Sequence, residues 1–346
     1  MNKIKVLVVD DTALMRKLIS DILTRDPEIE VIGTAPDGYL AIQKIKRLKP
    51  DVVTMDVEMP RMDGLTALSK IMEEHPVPVI MVSSHTYEGA KVTLEALELG
   101  AFDFIPKPTG IRSEAFSIIA DNLIAKVKAA AMTKLKRIEK KKEETETPSI
   151  KKIGSKKFTA SIVGIGISTG GPPSLRTIFR EFPEDYPIPI TVVQHMPPGF
   201  TRALAERLDK ISKLHVKEAE QGERLEKYTA YIAPGDYHME IRNGRVVLKK
   251  GERIWGQRPA ADPMFFSIAE EYGKFSLGVV MTGMGRDGAQ GLKKIKERGG
   301  KTIAQNKETC VVFGMPRVAI EEGSVDLVVP LEEIPDAIIK MSIKEE

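Results

Sequence analysis

The sequence contains one cysteine, Cys310, and one tryptophan, and aromatic residues make up only 5% of its 346 residues. A single cysteine cannot form an internal disulfide, which excludes a disulfide-stapled secreted fold and fits a reducing compartment. No apolar run approaches the roughly 18 residues that cross a membrane, and Asp10-Asp11 interrupts the first apolar stretch. We therefore expect a cytoplasmic protein with neither a signal peptide nor direct membrane insertion.

An excess of charge of one sign is also missing. The chain has 52 Lys and Arg residues against 49 Asp and Glu residues, a formal net charge of +3. Residues 158–346 contain 26 basic and 26 acidic residues, which leaves this part of the chain without net charge. A DNA-binding output domain would need a basic face to meet the phosphate backbone. The sequence therefore disfavours a transcription factor, and we expect no nucleic-acid partner.

Length and composition predict two domains with a charged segment between them. A chain of 346 residues exceeds the roughly 100 to 200 residues of one typical domain. We predict a first domain over 1–130, a linker rich in Lys and Glu over 131–157, and a second domain over 158–346. Strands alternate with helices in both domains, and a β-rich insertion lies around 231–254. Each domain is therefore expected to be an α/β domain with a doubly wound parallel sheet.

Polar residues follow the predicted strands of the first domain. Asp10 and Asp11 end the first strand, Asp56 ends the third, Ser83 ends the fourth, and Lys107 follows the fifth. The carboxyl ends of parallel strands meet at one edge of a sheet, so these side chains should converge there. Converging carboxylates repel one another and favour a hard cation such as Mg²⁺, which takes oxygen ligands and keeps water for a phosphoryl group.

With the segment Met-Asp-Val-Glu-Met-Pro-Arg-Met-Asp-Gly at 55–64, this pattern resembles the response-regulator receiver domain over residues 3–130. The resemblance implies a flavodoxin-like fold in which Asp56 accepts a phosphoryl group from a histidine kinase. It also implies a Mg²⁺ site and a conformational switch. The metal site would comprise Asp10, Asp11, Asp56 and the carbonyl of Glu58, and the switch would comprise Ser83, Phe104 and Lys107.

The second domain has a candidate nucleophile, base and carboxylate at predicted strand ends. Ser168 lies in Gly-Ile-Ser-Thr-Gly-Gly after an apolar run, His195 lies in Gln-His-Met-Pro-Pro, and Asp287 lies in a glycine-rich turn. Because open α/β sheets place their sites at the carboxyl ends of strands, these three residues could form a Ser-His-Asp hydrolase site. Their order along the chain differs from the Ser, Asp, His order of α/β-hydrolases.

Each of these residues also has a purely structural interpretation. Ser168 could close a turn, His195 could be a hydrogen-bonded loop histidine, and Asp287 could cap a helix that begins near Gly288. A Ser, Asp, His order would require a different carboxylate and allow other histidines. Its candidates are Asp185, Asp209, His195, His215 and His238.

A dinucleotide site competes for the same glycines. Gly164-x-Gly166-x-x-x-Gly170 after a strand is a relaxed form of the phosphate-binding fingerprint. Such a site needs an acidic residue at the end of the next strand, about 20 residues on, to hold the ribose. The sequence has Gln194-His195 at that point, which disfavours a nucleotide cofactor.

The second domain closely resembles the chemotaxis protein-glutamate methylesterases, and the resemblance rests on the segments 166–172, 194–197, 234–239 and 281–289. It implies a Rossmann-like hydrolase in which Ser168 is the nucleophile, His195 the general base and Asp287 the orienting carboxylate. The implied reactions are methanol release from glutamate γ-methyl esters and deamidation of particular glutamines. The implied substrates are chemoreceptors in bacterial or archaeal chemotaxis adaptation.

The resemblance also implies how the oxyanion and the regulation would be handled. Backbone N–H groups of Thr169 and Met284 would stabilise the oxyanion formed from the ester carbonyl. The esterase domain would need no cofactor, since its histidines lack the spacing of metal ligands. The expected partners are methylated chemoreceptors and a chemotaxis histidine kinase, so the sequence predicts a phosphorylation-regulated hydrolase.

Overall fold

A computed structural model describes residues 3–84, 86–107, 114–133 and 157–344. Internal contacts divide the chain into two compact units, Met1–Thr145 and Glu146–Glu346. Most of the predicted linker, residues 134–156, lies outside the described residues, so the boundaries at 130 and 157 stay predictions. Within the described part of the chain, none of the helices combines the length and the hydropathy that a membrane span requires.

The N-terminal unit is a five-stranded parallel sheet with strand order β2-β1-β3-β4-β5. This order is that of flavodoxin-like folds and confirms the predicted fold class. The strands are β1 (Ile4–Val9), β2 (Ile29–Ala35), β3 (Val52–Asp56), β4 (Val79–Ser83) and β5 (Asp103–Pro106). The helices are α1 (Ala13–Leu23), α2 (Gly38–Leu48), α3 (Gly64–Glu74), α4 (Tyr87–Glu98) and α5 (Glu114–Met132).

Continuous apolar runs and capping residues explain these elements. Val6–Val9 are fully buried, as expected for a central strand covered by helices on both faces. Asp37, Asp63 and Thr86 each precede a helix and accept a hydrogen bond from a backbone N–H of its first turn. Such N-caps satisfy donors that have no partner within the helix.

The C-terminal unit contains a seven-stranded parallel sheet with order β14-β13-β12-β6-β7-β9-β8, which confirms the second predicted α/β domain. Its strands are β6 (Ile162–Ile167), β7 (Ile190–Gln194), β8 (His215–Glu218), β9 (Thr229–Ile232), β12 (Ser276–Val280), β13 (Lys301–Gln305) and β14 (Leu327–Val329). The helices are α6 (Gly171–Glu181), α7 (Phe200–Asp209), α8 (Ala261–Tyr272), α9 (Ala289–Glu297), α10 (Met315–Glu321) and α11 (Ile334–Ser342). The β-rich insertion is an antiparallel hairpin of β10 (His238–Arg242) and β11 (Arg245–Lys249).

The strand order reverses at the centre of this sheet. From β6 the chain proceeds outward to β7 on one side, whereas β12, on the other side of β6, leads outward to β13 and β14. A doubly wound sheet has a crevice outside the carboxyl ends of its strands at such a reversal. The segments that follow β6, β7 and β12 meet at that edge.

Candidate active site and phosphorylation site

Three side chains meet at the reversal point of the C-terminal sheet. Ser168 follows β6 directly, His195 follows β7 directly, and Asp287 lies in the loop after β12. Nδ1 of His195 lies 3.0 Å from Oγ of Ser168, and Nε2 of His195 lies 2.7 Å from Oδ2 of Asp287. In the tautomer with its proton on Nε2, His195 donates to Asp287 and accepts the hydroxyl of Ser168 on Nδ1. The sheet therefore brings the predicted nucleophile, base and carboxylate into one hydrogen-bonded chain.

Asp287 is held by the beginning of α8. Oδ2 of Asp287 accepts from the backbone N–H of Ala261 at 2.6 Å, and Oδ1 accepts from that of Asp262 at 3.0 Å. Burial raises the pKa of Asp287, but the bonds from His195 and these N–H groups outweigh it and hold the pKa below the usual value. Asp287 does not cap the helix near Gly288, because α9 begins at Ala289 without a side-chain cap. The carboxylate stays ionised and oriented toward His195.

The turn after β6 fixes the position of Ser168. The N–H of Ser168 donates to the carbonyl of Thr282 at 2.9 Å, which ties the turn to the loop after β12. Gly170 has a φ of 77°, and a Cβ at this position would lie 2.6 Å from Val311, so the turn requires glycine. Pro172 and Pro173 lie in the first turn of α6, where the N–H groups have no partner within the helix and a missing one has no cost.

The two predicted oxyanion donors lie on segments that border the nucleophile. Thr169 follows Ser168 directly, and its carbonyl accepts from the hydroxyl of Thr282 at 3.0 Å. Met284 follows Gly283, where a Cβ would lie 2.7 Å from Cβ of Ser168. The loop after β12 therefore packs directly against the nucleophile, and the donor roles of Thr169 and Met284 stay predictions.

The alternative carboxylate Asp209 and the two alternative histidines have other partners. His215 pairs with Asp209 at 3.0 Å, and both side chains are exposed on the surface. Nδ1 of the buried His238 accepts from the N–H of Ala260, and its Nε2 lies 2.8 Å from the carbonyl of Glu252. These contacts explain the two histidines as structural residues. His195 is the one that contacts Ser168.

The glycines of the relaxed nucleotide fingerprint serve helix packing. A Cβ on Gly164 would lie 2.7 Å from Cδ1 of Ile268, and one on Gly166 would lie 2.7 Å from Cβ of Ala261. Both contacts are with α8, which packs closely on β6 because neither glycine has a side chain. This close approach accounts for Gly164 and Gly166 without a phosphate ligand.

Several supporting residues were not singled out by the sequence patterns. Nε2 of Gln194 donates to the carbonyl of Ser168 at 3.0 Å, and a Cβ on Gly171 would collide with Oε1 of Gln194. Asp262 is a second buried carboxyl beside Asp287, and its Oδ1 accepts from the N–H of Gly291 at 2.7 Å. Burial and the charge of Asp287 raise the pKa of Asp262 to about 6. The contacts of Gln194 with Ser168 and of Asp262 with Asp287 are visible only in the tertiary structure, since each joins segments that are distant in sequence.

In the N-terminal unit, carboxylate oxygens of Asp10, Asp11 and Asp56 lie within 4.8 Å of one another. Asp10 and Asp56 are buried, whereas Asp11 is exposed. Oδ2 of Asp10 is buried and accepts no hydrogen bond from the described residues. Nζ of Lys107 lies 2.6 Å from Oδ2 of Asp56 and 3.7 Å from Oδ2 of Asp10. Oxygen ligands with a buried acceptor in need of a partner fit a hard divalent cation.

Burial dominates the electrostatics of Asp56. It raises the pKa of Asp56 to about 6, and the nearby Asp10 carboxylate adds to this effect. The ammonium of Lys107 and the N–H of Glu58, 3.3 Å from Oδ1 of Asp56, act in the opposite direction. Burial lowers the pKa of Lys107, but the hydrogen bond to Asp56 and the surrounding carboxylates raise it above the usual value. Among the described residues, the ammonium of Lys107 therefore contacts two buried carboxylates, Asp10 and Asp56, with a third, Asp11, close by.

The remaining predicted residues of this site lie around the same strand ends. The buried Ser83 ends β4, and its hydroxyl bonds with α4, where Oγ1 of Thr93 donates to it at 2.7 Å. The buried Phe104 lies in β5, and Lys126 donates to its carbonyl at 2.9 Å. The switch role of Ser83 and Phe104, and the Glu58 carbonyl as a metal ligand, stay predictions.

Family comparison agrees with this two-part architecture. The CheB methylesterase family model matches residues 163–338, and the response regulator receiver domain model matches residues 6–115. The protein-glutamate methylesterase/protein-glutamine glutaminase of Pyrococcus horikoshii is 53% identical over 343 residues, which cover 98% of this chain and 93% of that protein. The protein of the same name from Geobacillus kaustophilus is 49% identical over 348 residues, 99% of each chain.

A solved structure matches the C-terminal unit. The crystal structure of the Thermotoga maritima CheB methylesterase catalytic domain is 50% identical to the matched region, with a TM-score of 0.51. The match covers 53% of this chain and 98% of that chain. The chain therefore belongs to the CheB methylesterase family and carries a response regulator receiver domain in its N-terminal unit.

Proposed function

We propose that the protein hydrolyses glutamate γ-methyl esters, and deamidates glutamines, with Ser168, His195 and Asp287 as its catalytic residues. The observation that carries this proposal is the pair of contacts made by the imidazole of His195, 3.0 Å from Oγ of Ser168 and 2.7 Å from Oδ2 of Asp287. Relatives that are about half identical over nearly the whole chain bear the name protein-glutamate methylesterase/protein-glutamine glutaminase.

The geometry supports acyl transfer in two steps. Oγ of Ser168 attacks the ester carbonyl while Nδ1 of His195 takes its proton, and the resulting imidazolium is stabilised by the Asp287 carboxylate. Collapse of the tetrahedral intermediate breaks the bond to the methoxy group, which leaves as methanol with the proton from His195. Water then attacks the acyl-enzyme with His195 as base, which releases glutamate and restores Ser168. A glutamine amide follows the same path with ammonia as the leaving group.

An oxyanion forms in both steps and needs fixed donors. We propose that the backbone N–H groups of Thr169 and Met284 fill this role, since both residues lie on segments that border Ser168. One such donor contributes roughly 3 to 4 kcal/mol to transition-state stabilisation. The N-terminus of α6 begins three residues after Ser168 and adds a positive partial charge on the same side.

We further propose that phosphorylation of Asp56 by a chemotaxis histidine kinase regulates the hydrolase. Asp10, Asp11, Asp56 and the carbonyl of Glu58 would hold Mg²⁺, which neutralises charge on the phosphoryl oxygens. Lys107 already contacts Asp56 and would pair with those oxygens. Ser83 and Phe104 would report the change to the surface that includes α4 and β5. The substrates would be methylated chemoreceptors, and the single cysteine fits action in the cytoplasm.

Loss of the nucleophile tests the proposal most directly. Ser168→Ala should lower methanol release from methylated receptor membranes by about 10⁶-fold, since the hydroxyl is the attacking group. Circular dichroism should show an unchanged fold, because the hydroxyl of a half-buried serine contributes little packing. Ser161→Ala, an exposed serine before β6, is the matched control and should retain parental activity. Parental turnover in the folded Ser168→Ala protein would contradict the assignment.

A further inference from the structure

Trp255, the one tryptophan of the chain, lies at the tip of a tight turn and is 53% exposed. Ile254 and Gln257 exchange two backbone hydrogen bonds of 3.0 and 2.9 Å around it. The two residues between them, Trp255 and Gly256, have φ values of 53° and 76°. Two positive φ angles in a two-residue loop are typical of a type I′ turn, which favours Asn or Gly at its first central position. Neither burial nor turn preference therefore explains a tryptophan here.

Two independent contacts connect this indole to the catalytic carboxylate. Nε1 of Trp255 donates to Oδ2 of Asp262 at 3.3 Å, and the backbone N–H of Asp262 donates to Asp287. The centroid of the indole ring also lies 5.0 Å from the guanidinium carbon of Arg286, the residue before Asp287. These contacts place the exposed ring at the border of the active site and hold it in a fixed orientation.

The surface formed by Trp255 and Arg286 has two chemical properties. Part of the indole is open to solvent and offers an apolar, rigid surface. The side chain of Arg286 is 50% exposed and keeps donors beyond its 3.1 Å ion pair with Glu322. An aromatic surface with an adjacent cation suits a peptide that presents both a neutral ester and nearby carboxylates.

Resting on the proposed function, we infer that Trp255 and Arg286 bind the acidic peptide segment that flanks the glutamate methyl ester. Hydrolysis of each ester creates a carboxylate, so a substrate with several methylation sites carries carboxylates beside its remaining esters. Trp255 would contact the aliphatic parts of side chains in that flanking segment, and Arg286 would pair with a neighbouring carboxylate. Both are specificity-determining residues that leave the chemical step to Ser168.

Trp255→Asn separates binding from folding, because asparagine suits the first central position of the turn. The substrates are a synthetic glutamate-rich peptide with one glutamate γ-methyl ester, and N-acetylglutamate γ-methyl ester N-methylamide, which lacks flanking residues. For the peptide, KM should rise about tenfold with little change in kcat, as for a tryptophan at an interface centre. For the small ester, kcat/KM should stay at the parental value. Phe275→Ala removes another exposed aromatic residue and should change neither substrate's kinetics.

Trp255→Phe distinguishes substrate contact from indirect support of Asp262. Phenylalanine keeps the ring and loses the Nε1–H donor, so KM for the peptide should stay near the parental value. Equal losses of kcat in Trp255→Phe and Trp255→Asn, on both esters, would show that the indole acts only through Asp262 and would overturn the inference. An unchanged peptide KM in Trp255→Asn would also overturn it.

The fluorescence of the sole tryptophan gives a readout that does not depend on turnover. In the Ser168→Ala background, the methyl ester peptide should change the emission of Trp255 in a saturable way, and Arg286→Ala should weaken that binding. An unchanged emission of Trp255 at peptide concentrations up to the parental KM would contradict the inference. Failure of the parent to hydrolyse either ester would overturn the proposed function together with this inference, whereas normal hydrolysis with an unaffected Trp255→Asn variant would overturn the inference alone.

Discussion

Asp287 shows how a single carboxylate can contact a proposed catalytic base and anchor a helix at once. Its two carboxylate oxygens accept from three groups, the imidazole of His195 and the N–H groups of Ala261 and Asp262. The same carboxylate therefore contacts the imidazole of His195 and accepts from N–H groups in the first turn of α8, whose partial positive charge favours an anion. An isosteric amide could not accept from all three groups.

We expect Asp287→Asn to lower kcat for methyl ester hydrolysis by roughly 10³- to 10⁴-fold, because the amide no longer favours the productive tautomer of His195. The matched control is Asp209→Asn, which alters the carboxylate paired with the exposed His215. Methanol release at saturating ester concentration measures the effect. Equal rates for the two variants would show that the carboxylate beside His195 has no catalytic role.

At the scale of secondary-structure elements, the ends of parallel strands concentrate polar groups that would be unfavourable elsewhere. In the receiver, the ends of β1 and β3 bring Asp10, Asp11 and Asp56 together. A buried carboxylate beside another is destabilising in its charged form, which is the origin of the raised pKa of Asp56. The buried Asp56 carboxylate thus lowers the stability of the receiver at neutral pH, and a bound cation would offset this effect.

The raised pKa of Asp56 predicts that Asp56→Asn changes the free energy of unfolding in a pH-dependent way. Because the pKa of Asp56 is raised from 3.8 to about 6, the folded receiver binds more protons than the unfolded chain between those values. The free energy of unfolding should therefore fall as pH rises from about 4 to about 6. Asparagine cannot ionise, so the variant should be more stable than the parent above pH 6, by at most about 3 kcal/mol, and the gain should vanish near pH 4.

Calorimetry of the full chain at several pH values measures this difference in the receiver transition. The control is Asp21→Asn, since Asp21 forms an exposed pair with Lys17 that contributes little. Added Mg²⁺ should raise the temperature of the receiver's unfolding transition in the parent, and should raise it less in Asp56→Asn. A cation that binds only the folded receiver stabilises the folded state. A variant that is less stable than the parent at pH 8 would contradict the raised pKa.

At the scale of the whole molecule, the chain combines a response regulator receiver domain with a methylesterase domain. If Asp56 is the acceptor, a small phosphodonor with Mg²⁺ should stimulate ester hydrolysis by the parent and have no effect on Asp56→Asn. The expectation follows from the position of Asp56 beside Lys107 and the carboxylate pair that would hold the metal. Stimulation of Asp56→Asn equal to that of the parent would show that the phosphoryl group is accepted elsewhere.

Much of this protein could be predicted from local sequence. Apolar runs and capping residues such as Asp37 and Asp63 determine strands and helices through short-range interactions, so the two α/β units were predictable. Polar residues at or directly after the strand ends, such as Asp56 and Ser168, were predictable as candidate site residues, because parallel strands carry their carboxyl ends to one edge. The apolar run over 160–165 predicts a strand that the structure places at Ile162–Ile167, a shift of two residues, since strand ends depend on pairing partners.

Tertiary structure alone decided which groups surround those residues. The choice of His195 over His215 and His238 depends on which strands neighbour β6, and the anchoring of Asp287 by α8 depends on packing across a long insertion. The position of Trp255 beside Arg286 and Asp262 has no signal in the sequence either. A sequence pattern reports local preferences and strand ends, whereas contacts between distant segments are determined by how the sheet orders its strands and how closely helices pack upon it.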